Sequence, residues 1–215
     1  MAAHGNNNYE AVPTMNFDAL CFSGRDGAPC VPGEPICVHF GEILAGVVDP
    51  VPLSLGGTRI LLAHYNPSTD EASRRLHRLN FGRVSLLGVT VHIAEHFSNV
   101  TTISFLLNRE IDGYGGGVRL AGSRSALLQS IGAENIVITP RPEPEHSGQF
   151  VVAATWQYNQ QNLASLNAAL AAEWKIFSDR MAHADATSGR TPRANAWLRR
   201  FLQRRGRMGG GRRAE

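Results

Sequence analysis

Lysine is almost missing from this chain of 215 residues, because 20 of its 21 basic residues are arginines and only Lys175 is a lysine. Cysteine is scarce too, and the odd set Cys21, Cys30 and Cys37 argues against a disulfide framework. No apolar run approaches the roughly 20 residues that span a bilayer, and the first residues do not resemble a secretory signal. We therefore expect one globular domain with appendages, located inside the cell and outside the membrane.

Signatures of metal binding and catalysis are weak. The three cysteines and His39 have the spacing C-x8-C-x6-C-x-H, which lacks the short paired spacing of a zinc knuckle. His92, Glu95 and His96 match H-x-x-E-H, but the β-branched residues around them predict a strand, on which the two histidines cannot converge on zinc. Residues 114–117 fit no phosphate-binding spacing and predict a turn. We expect no metal, no cofactor, no catalytic residue and no enzymatic activity.

Basic charge is concentrated near the C-terminus. Residues 181–215 hold nine arginines against Asp185 and Glu215, a net charge of +7, whereas the other 180 residues sum to −4. Guanidinium groups bind phosphate through a planar fork and stack on bases, so the composition favours nucleic acid, although a GC-rich genome would also favour arginine codons. Trp197 and Phe201 offer surfaces for unpaired bases or for a membrane. We expect nucleic-acid contacts from Arg190, Arg193, Arg199, Arg200, Arg204, Arg205, Arg207, Arg212 and Arg213, and from Arg74, Arg75 and Arg78 on an earlier helix.

A period of two in the apolar residues predicts a mainly β fold. About eight short strands are expected, at 36–40, 43–48, 59–65, 89–93, 103–107, 118–120, 135–139 and 150–158. Ser68 and Glu71 form a capping box before one accessory helix, and an alanine- and leucine-rich run over 163–181 predicts another. We therefore predict an extended or disordered arm over 1–35, an antiparallel β-sandwich of jelly-roll type over 36–183, and an arginine-rich tail with a short amphipathic helix over 184–215.

The segments FGRVSLLGVTVHI (81–93) and TISFLLNREI (102–111) resemble a strand pair of plant-virus cell-to-cell movement proteins of the thirty-kilodalton superfamily, tombusvirus type. Residues 154–158 and 173–177 are similar to later motifs of that family. The resemblance implies a fold related to single jelly-roll capsid proteins and binding of single-stranded viral RNA without sequence preference. It also implies self-association, peripheral membrane contact, host plasmodesmal partners and a location in the host cytoplasm, at the cell periphery and at plasmodesmata.

Three functions follow as hypotheses from these patterns. The first is a movement protein that carries viral RNA between host cells through plasmodesmata. The alternative is a small jelly-roll coat protein that packages RNA in the virion with its basic arm, although coat proteins more often carry that arm at the N-terminus. The third is a silencing suppressor that grips double-stranded RNA through the arginines of the first accessory helix.

Overall fold

A computed structural model of the chain describes residues 19–108, 114–141 and 149–187. These residues form seven strands and four α-helices, with a short 3-10 helix at Arg25–Gly27. The strands are β1 (Leu20–Ser23), β2 (Ile36–Phe40), β3 (Ile43–Pro52), β4 (Arg59–Pro67), β5 (Thr102–Leu107), β6 (Glu134–Pro140) and β7 (Phe150–Gln157). The helices are α1 (Glu71–Arg78), α2 (Phe81–His96), α3 (Tyr114–Ser130) and α4 (Gln160–Thr187).

All seven strands belong to a single mixed sheet in the order β1-β2-β3-β4-β5-β7-β6. Neighbouring strands are antiparallel except β4 and β5, which are parallel and are joined through α1 and α2. A parallel pair needs such a crossover, whereas antiparallel neighbours need only a turn. The predicted jelly-roll sandwich is therefore wrong: the described residues form one sheet with helices, an α/β architecture.

The two faces of the sheet differ sharply in burial. We call the side of Ile36, Val38 and Phe40 the packed face and the opposite side the open face. The strand residues that register places on the packed face include Val48, Ile60, Leu62, Ile103, Phe105, Val152, Ala154 and Trp156, all of them buried. The described helices contact this face, for example through Phe81 of α2 and Phe177 of α4, which pack against Phe40 at 5.5 and 5.4 Å between ring centroids. An antiparallel sheet tolerates one solvated face in this way.

The segment that we expected to contain a strand over 89–93 is the interior of α2. Its buried residues lie on all sides of the helix, including Phe81, Val84, Leu87, Val89 and Ile93. A helix that is buried all round carries no polar stripe, so its β-branched residues imitate a strand pattern. The predicted strand is therefore wrong, and so is the short one at 118–120, which lies in α3.

The helix after β4 begins two residues later than the capping box implies. Asp70 is the N-cap, and its Oδ1 accepts a hydrogen bond from the Ser73 backbone N–H at 2.8 Å. Ser68 instead donates its hydroxyl to Asp70 Oδ2. These bonds lower the pKa of Asp70. The capping box is therefore wrong in detail, although the helix itself is present, and the predicted helix over 163–181 is confirmed within α4.

The chain divides into a compact unit that ends at Phe177 and a second unit from Ser178 onward. β1 lies inside the segment 1–35, and α4 crosses residue 183, but the predicted domain boundaries themselves stay predictions. In the second unit, the described part of α4 includes His183, whose Nδ1 lies 2.8 Å from the backbone oxygen of Asp179. None of the helices in the described ranges is both long and apolar enough to cross a bilayer.

Candidate functional site

The two parallel strands at the centre of the sheet separate before they end. β4 and β5 pair only from Arg59 with Thr102 to Leu62 with Phe105. Beyond that point β4 continues to pair with β3, and β5 continues to pair with β7. Backbone groups on the facing edges of 63–67 and 106–107 therefore have no partner strand among the described residues. We call this gap the strand opening.

A surplus residue in β4 lies where the strand opening begins. Asp49 and Pro50 of β3 pair with His64 and Leu62, so Ala63 has no place in the register. Such a β-bulge bends the strand that carries it and increases its twist, and bulges are frequent beside active sites. The bulge thus explains why β4 leaves β5 after Leu62. It also lies at the carboxyl end of parallel strands, where open α/β sheets place their ligands.

A partly buried polar cluster fixes the β4 side of the strand opening. Tyr65 Oη lies 3.3 Å from His77 Nε2 of α1 and 3.4 Å from Ser85 Oγ of α2. It also donates to the backbone oxygen of Ala45 at 3.3 Å, an atom that receives the Ser73 hydroxyl at 2.8 Å. Burial raises the pKa of Tyr65 to about 12, although the Ser85 hydrogen bond works in the opposite direction. The phenol therefore stays protonated at neutral pH.

Ala45 and Gly46 show why this cluster closes so tightly. Ala45 is a second surplus residue, since Val38 and His39 pair with Gly46 and Leu44 on β3, and its carbonyl is thereby freed for side-chain donors. A Cβ on Gly46 would lie 2.8 Å from the Tyr65 ring and 2.7 Å from the Asn66 backbone oxygen. Only glycine allows this approach, so a larger residue would push Tyr65 away from its partners.

The glycine-rich run that we expected to form a turn is the first turn of α3. The helix begins at Tyr114 and continues through Gly115, Gly116 and Gly117, with no acidic residue in that turn. The prediction of a turn is therefore wrong, and these glycines lie at the N-terminus of the helix that follows β5. Helix N-termini attract anions, and glycines let a ligand approach the backbone. Farther along α3, Arg124 Nη1 donates to the backbone oxygen of Leu107 at 3.1 Å, which brings a positive charge to the end of β5.

The H-x-x-E-H motif lies on a helix and not on the expected strand. His92 and His96 are one turn apart on α2, and their rings stack at 4.4 Å between centroids. Phe22 of β1 lies against the His92 ring at 4.9 Å. Across the described ranges, no three metal-ligating side chains come together. The motif therefore supplies two histidines of one helix face and no third ligand from those residues.

The arginines of the first accessory helix lie on α1, and their side chains are exposed. Arg74 and Arg78 both reach Glu71, at 4.0 and 3.2 Å, and Arg74 also donates to the backbone oxygen of Thr69. Arg75 lies on the same helix. The nine arginines from Arg190 to Arg213, with Trp197 and Phe201, lie outside the described residues. The predicted contacts of all these residues with nucleic acid or membrane stay predictions.

No protein-family profile and no curated protein matches this chain. Among solved structures it is similar to a chain assigned as an acetyltransferase, at 16% identity and a TM-score of 0.41 over 65% of this chain and 64% of that one. A GNAT family acetyltransferase from Elizabethkingia anophelis with acetyl-CoA bound is 9% identical, with a TM-score of 0.34 over 66% of this chain and 99% of that one. Ard1 from Thermoplasma volcanium is 12% identical, with a TM-score of 0.32 over 59% and 71%. This chain thus spans slightly less than two thirds of the first of these relatives.

The fold overturns the functional predictions that depended on a jelly roll. The resemblance to movement proteins depended on residues 81–93 as a strand, and those residues form α2. The jelly roll that would support the coat-protein alternative is absent from the described residues. Both predictions, that of a viral movement protein and that of a coat protein, depended on a jelly roll and are therefore wrong. The solved structures to which the chain is similar are of acetyltransferases, which differs from the expectation of no enzymatic activity. The predicted partners and cellular location stay predictions.

The strand opening was missed at the level of sequence because nothing in β4 marks a bulge. Ile60, Leu62 and His64 continue an even alternation, and only the register with β3 shows that Tyr65 replaces His64 on the packed face. A usable signal existed in the glycine run after β5. Glycines that follow a strand and open a helix are typical of phosphate-binding turns, and reading 118–120 as part of a helix would have exposed that arrangement.

Proposed function

We propose that this chain is an acyltransferase that binds an acyl-coenzyme A donor in the strand opening. The observation that carries the proposal is the separation of β4 from β5 after Leu62 and Phe105. Backbone N–H and C=O groups need hydrogen-bond partners, and an extended ligand with amide groups can supply them by adding to a sheet edge. The pantetheine arm of coenzyme A is such a ligand.

The first turn of α3 fits the diphosphate of the same donor. Gly115, Gly116 and Gly117 place no side chain over the backbone N–H groups of that turn, and the helix dipole favours negative charge there. Arg124 adds a guanidinium at the carboxyl end of β5. One end of the strand opening would therefore hold phosphate groups while its edges hold amides.

When bound, the donor supplies an activated thioester carbonyl for transfer to an amine. The chain contributes a sheet edge that orients the amides and a helix N-terminus that holds the charge. Tyr65 lies on the β4 side, and its phenol is protonated at neutral pH because burial raises its pKa to about 12. It acts as a positioning residue, since its hydroxyl joins α1 and α2 to the strand that borders the strand opening.

Isothermal titration with coenzyme A tests this proposal. The key variant is Gly116→Asp, because a carboxylate in the first turn of α3 should repel the diphosphate while it favours the helix. Gly122→Asp is the matched control, since it adds the same charge to the same helix at an exposed position where a Cβ meets no atom within 4 Å. We expect coenzyme A to bind the wild type, Gly116→Asp to weaken binding at least about tenfold, and Gly122→Asp to leave it nearly unchanged.

The proposal is contradicted if the wild-type chain does not bind coenzyme A, or if the two aspartate variants weaken binding equally. ATP serves as a second ligand because it carries phosphates without the amide arm, so equal affinity for ATP and coenzyme A would show that the strand opening is not used. Release of free thiol from acetyl-CoA in the presence of amines, followed with a thiol reagent, measures the transfer itself.

A further inference from the structure

The open face carries an apolar row that begins beside the strand opening. Leu106 of β5, Ala153 of β7 and Val137 of β6 are paired directly across the three strands. Leu106 is 38% exposed and Val137 is 54% exposed. Among the strand residues whose burial the structure describes, none that register places on the open face is buried. The helices described up to Phe177 contact the packed face. The row is therefore accessible from solvent within the described part of the chain.

This row is continuous with the strand opening. Leu106 is the first residue of β5 beyond its last pair with β4, so its backbone borders the gap while its side chain lies on the open face. On the packed side, the corner of the gap is closed by Leu62 and Phe105, which are each only 2% exposed. An acyl group that extends through the gap at this corner therefore meets filled space on the packed side and the exposed row on the open face.

We propose that the donor carries a medium-length or long aliphatic acyl chain, which lies across Leu106, Ala153 and Val137. This inference rests on the proposed function and names its substrate class. Three neighbouring strands span about 10 Å, so the row can cover an extended aliphatic chain. Each methylene that is buried there strengthens binding by up to about fourfold.

The test compares the dissociation constants of acetyl-CoA and octanoyl-CoA by isothermal titration. We expect the wild type to bind octanoyl-CoA at least about tenfold more tightly than acetyl-CoA. In Leu106→Ser and Val137→Ser, the ratio of the acetyl-CoA to the octanoyl-CoA dissociation constant should fall towards one. In each variant a hydroxyl replaces the apolar surface that contacts the acyl chain. Leu44→Ser is the matched control: Leu44 is a leucine of the open face that is 36% exposed, but it lies on β3, and its substitution should keep the wild-type ratio.

The outcomes separate this inference from the function on which it rests. If neither thioester binds, the proposed function is wrong. If acetyl-CoA binds and octanoyl-CoA binds no more tightly, or if Leu44→Ser lowers the ratio as much as Val137→Ser, the acyl-chain inference is wrong and the function stands. Sedimentation of the wild type and Val137→Ser adds a further check, because a second copy of the chain could cover the row. A dimer that dissociates in the variant without a change in the ratio would also overturn the inference.

Discussion

His92 lies on α2 with its ring against Phe22, and its Nε2 atom is buried without a hydrogen-bond partner among the described residues. Burial, assisted by the neighbouring imidazole of His96, lowers the pKa of His92 to about 4. A buried nitrogen without a partner costs less when the ring is uncharged than when it carries a proton. The folded chain therefore accommodates the neutral imidazole.

Acid should destabilise the fold through this residue. The unfolded chain protonates His92 near pH 6.5, whereas the folded chain does so only near pH 4, so stability that is present above pH 6.5 is lost as the pH falls towards 4. We expect a loss of about 1 kcal/mol from this group, because water screens a ring that is partly exposed. Urea unfolding of the wild type and of His92→Phe at pH 7.5 and 4.5 measures the difference. An equal loss in both proteins would assign the acid sensitivity to other groups.

At the scale of elements, three helices meet at one ion pair. Arg83 of α2 is bonded to Glu173 of α4, and its Nη2 donates to the hydroxyl and backbone oxygens of Ser123 of α3 at 2.9 and 3.2 Å. The Glu173 side chain is 10% exposed and that of Arg83 is 32% exposed. Such a pair is costly to break from one side, because the remaining charge loses its partner in a partly dry site.

Glu173→Ala should therefore lower the free energy of unfolding by about 2 to 3 kcal/mol. The double variant Arg83→Met with Glu173→Leu should recover most of that loss, because it removes both charges and fills the space with apolar atoms. Thermal and urea unfolding of the single and double variants gives the coupling energy between the two positions. Additive effects would show that the two side chains do not stabilise the helices jointly.

The sequence predicts individual strands better than it predicts their partners. β2, β4, β5, β6 and β7 lie close to the expected segments. The period of two is clearest in β2 and β7, where buried residues alternate with less buried ones on a sheet with one open face. The same reasoning fails for α2. Val89, Val91 and Ile93 alternate as they would in a strand, but they lie in a helix that is buried on all sides. Nothing local distinguishes those two environments. If α2 is taken for a strand, the helical crossover that joins the parallel strands β4 and β5 is lost from the prediction. An antiparallel sandwich is then expected, and that expectation is wrong.

At the scale of the whole molecule, charge and core belong to different parts of the chain. Residues 188–215 hold nine arginines and Glu215, a net charge of +8, so the first 187 residues sum to −5. A chain that ends at Thr187 should unfold within about 2 °C of the full-length chain, since it keeps every strand and helix described here. It should also change from cation-exchange to anion-exchange retention at neutral pH. A markedly lower unfolding temperature would show that the removed residues support the fold.

The extra residue at position 63 also sets what changes in length β4 can accept. Before it, even-numbered side chains lie inside, and after it odd-numbered ones do, so Leu62 and Tyr65 both lie on the packed face. Deleting one residue there would shift the pleat by half a period and turn the phenol of Tyr65 towards the open face. A change in the length of the hairpin loop at 53–58 does not exchange the two faces of a strand in this way. Related chains should therefore vary in length at the hairpin while keeping the count between Leu62 and Tyr65 constant.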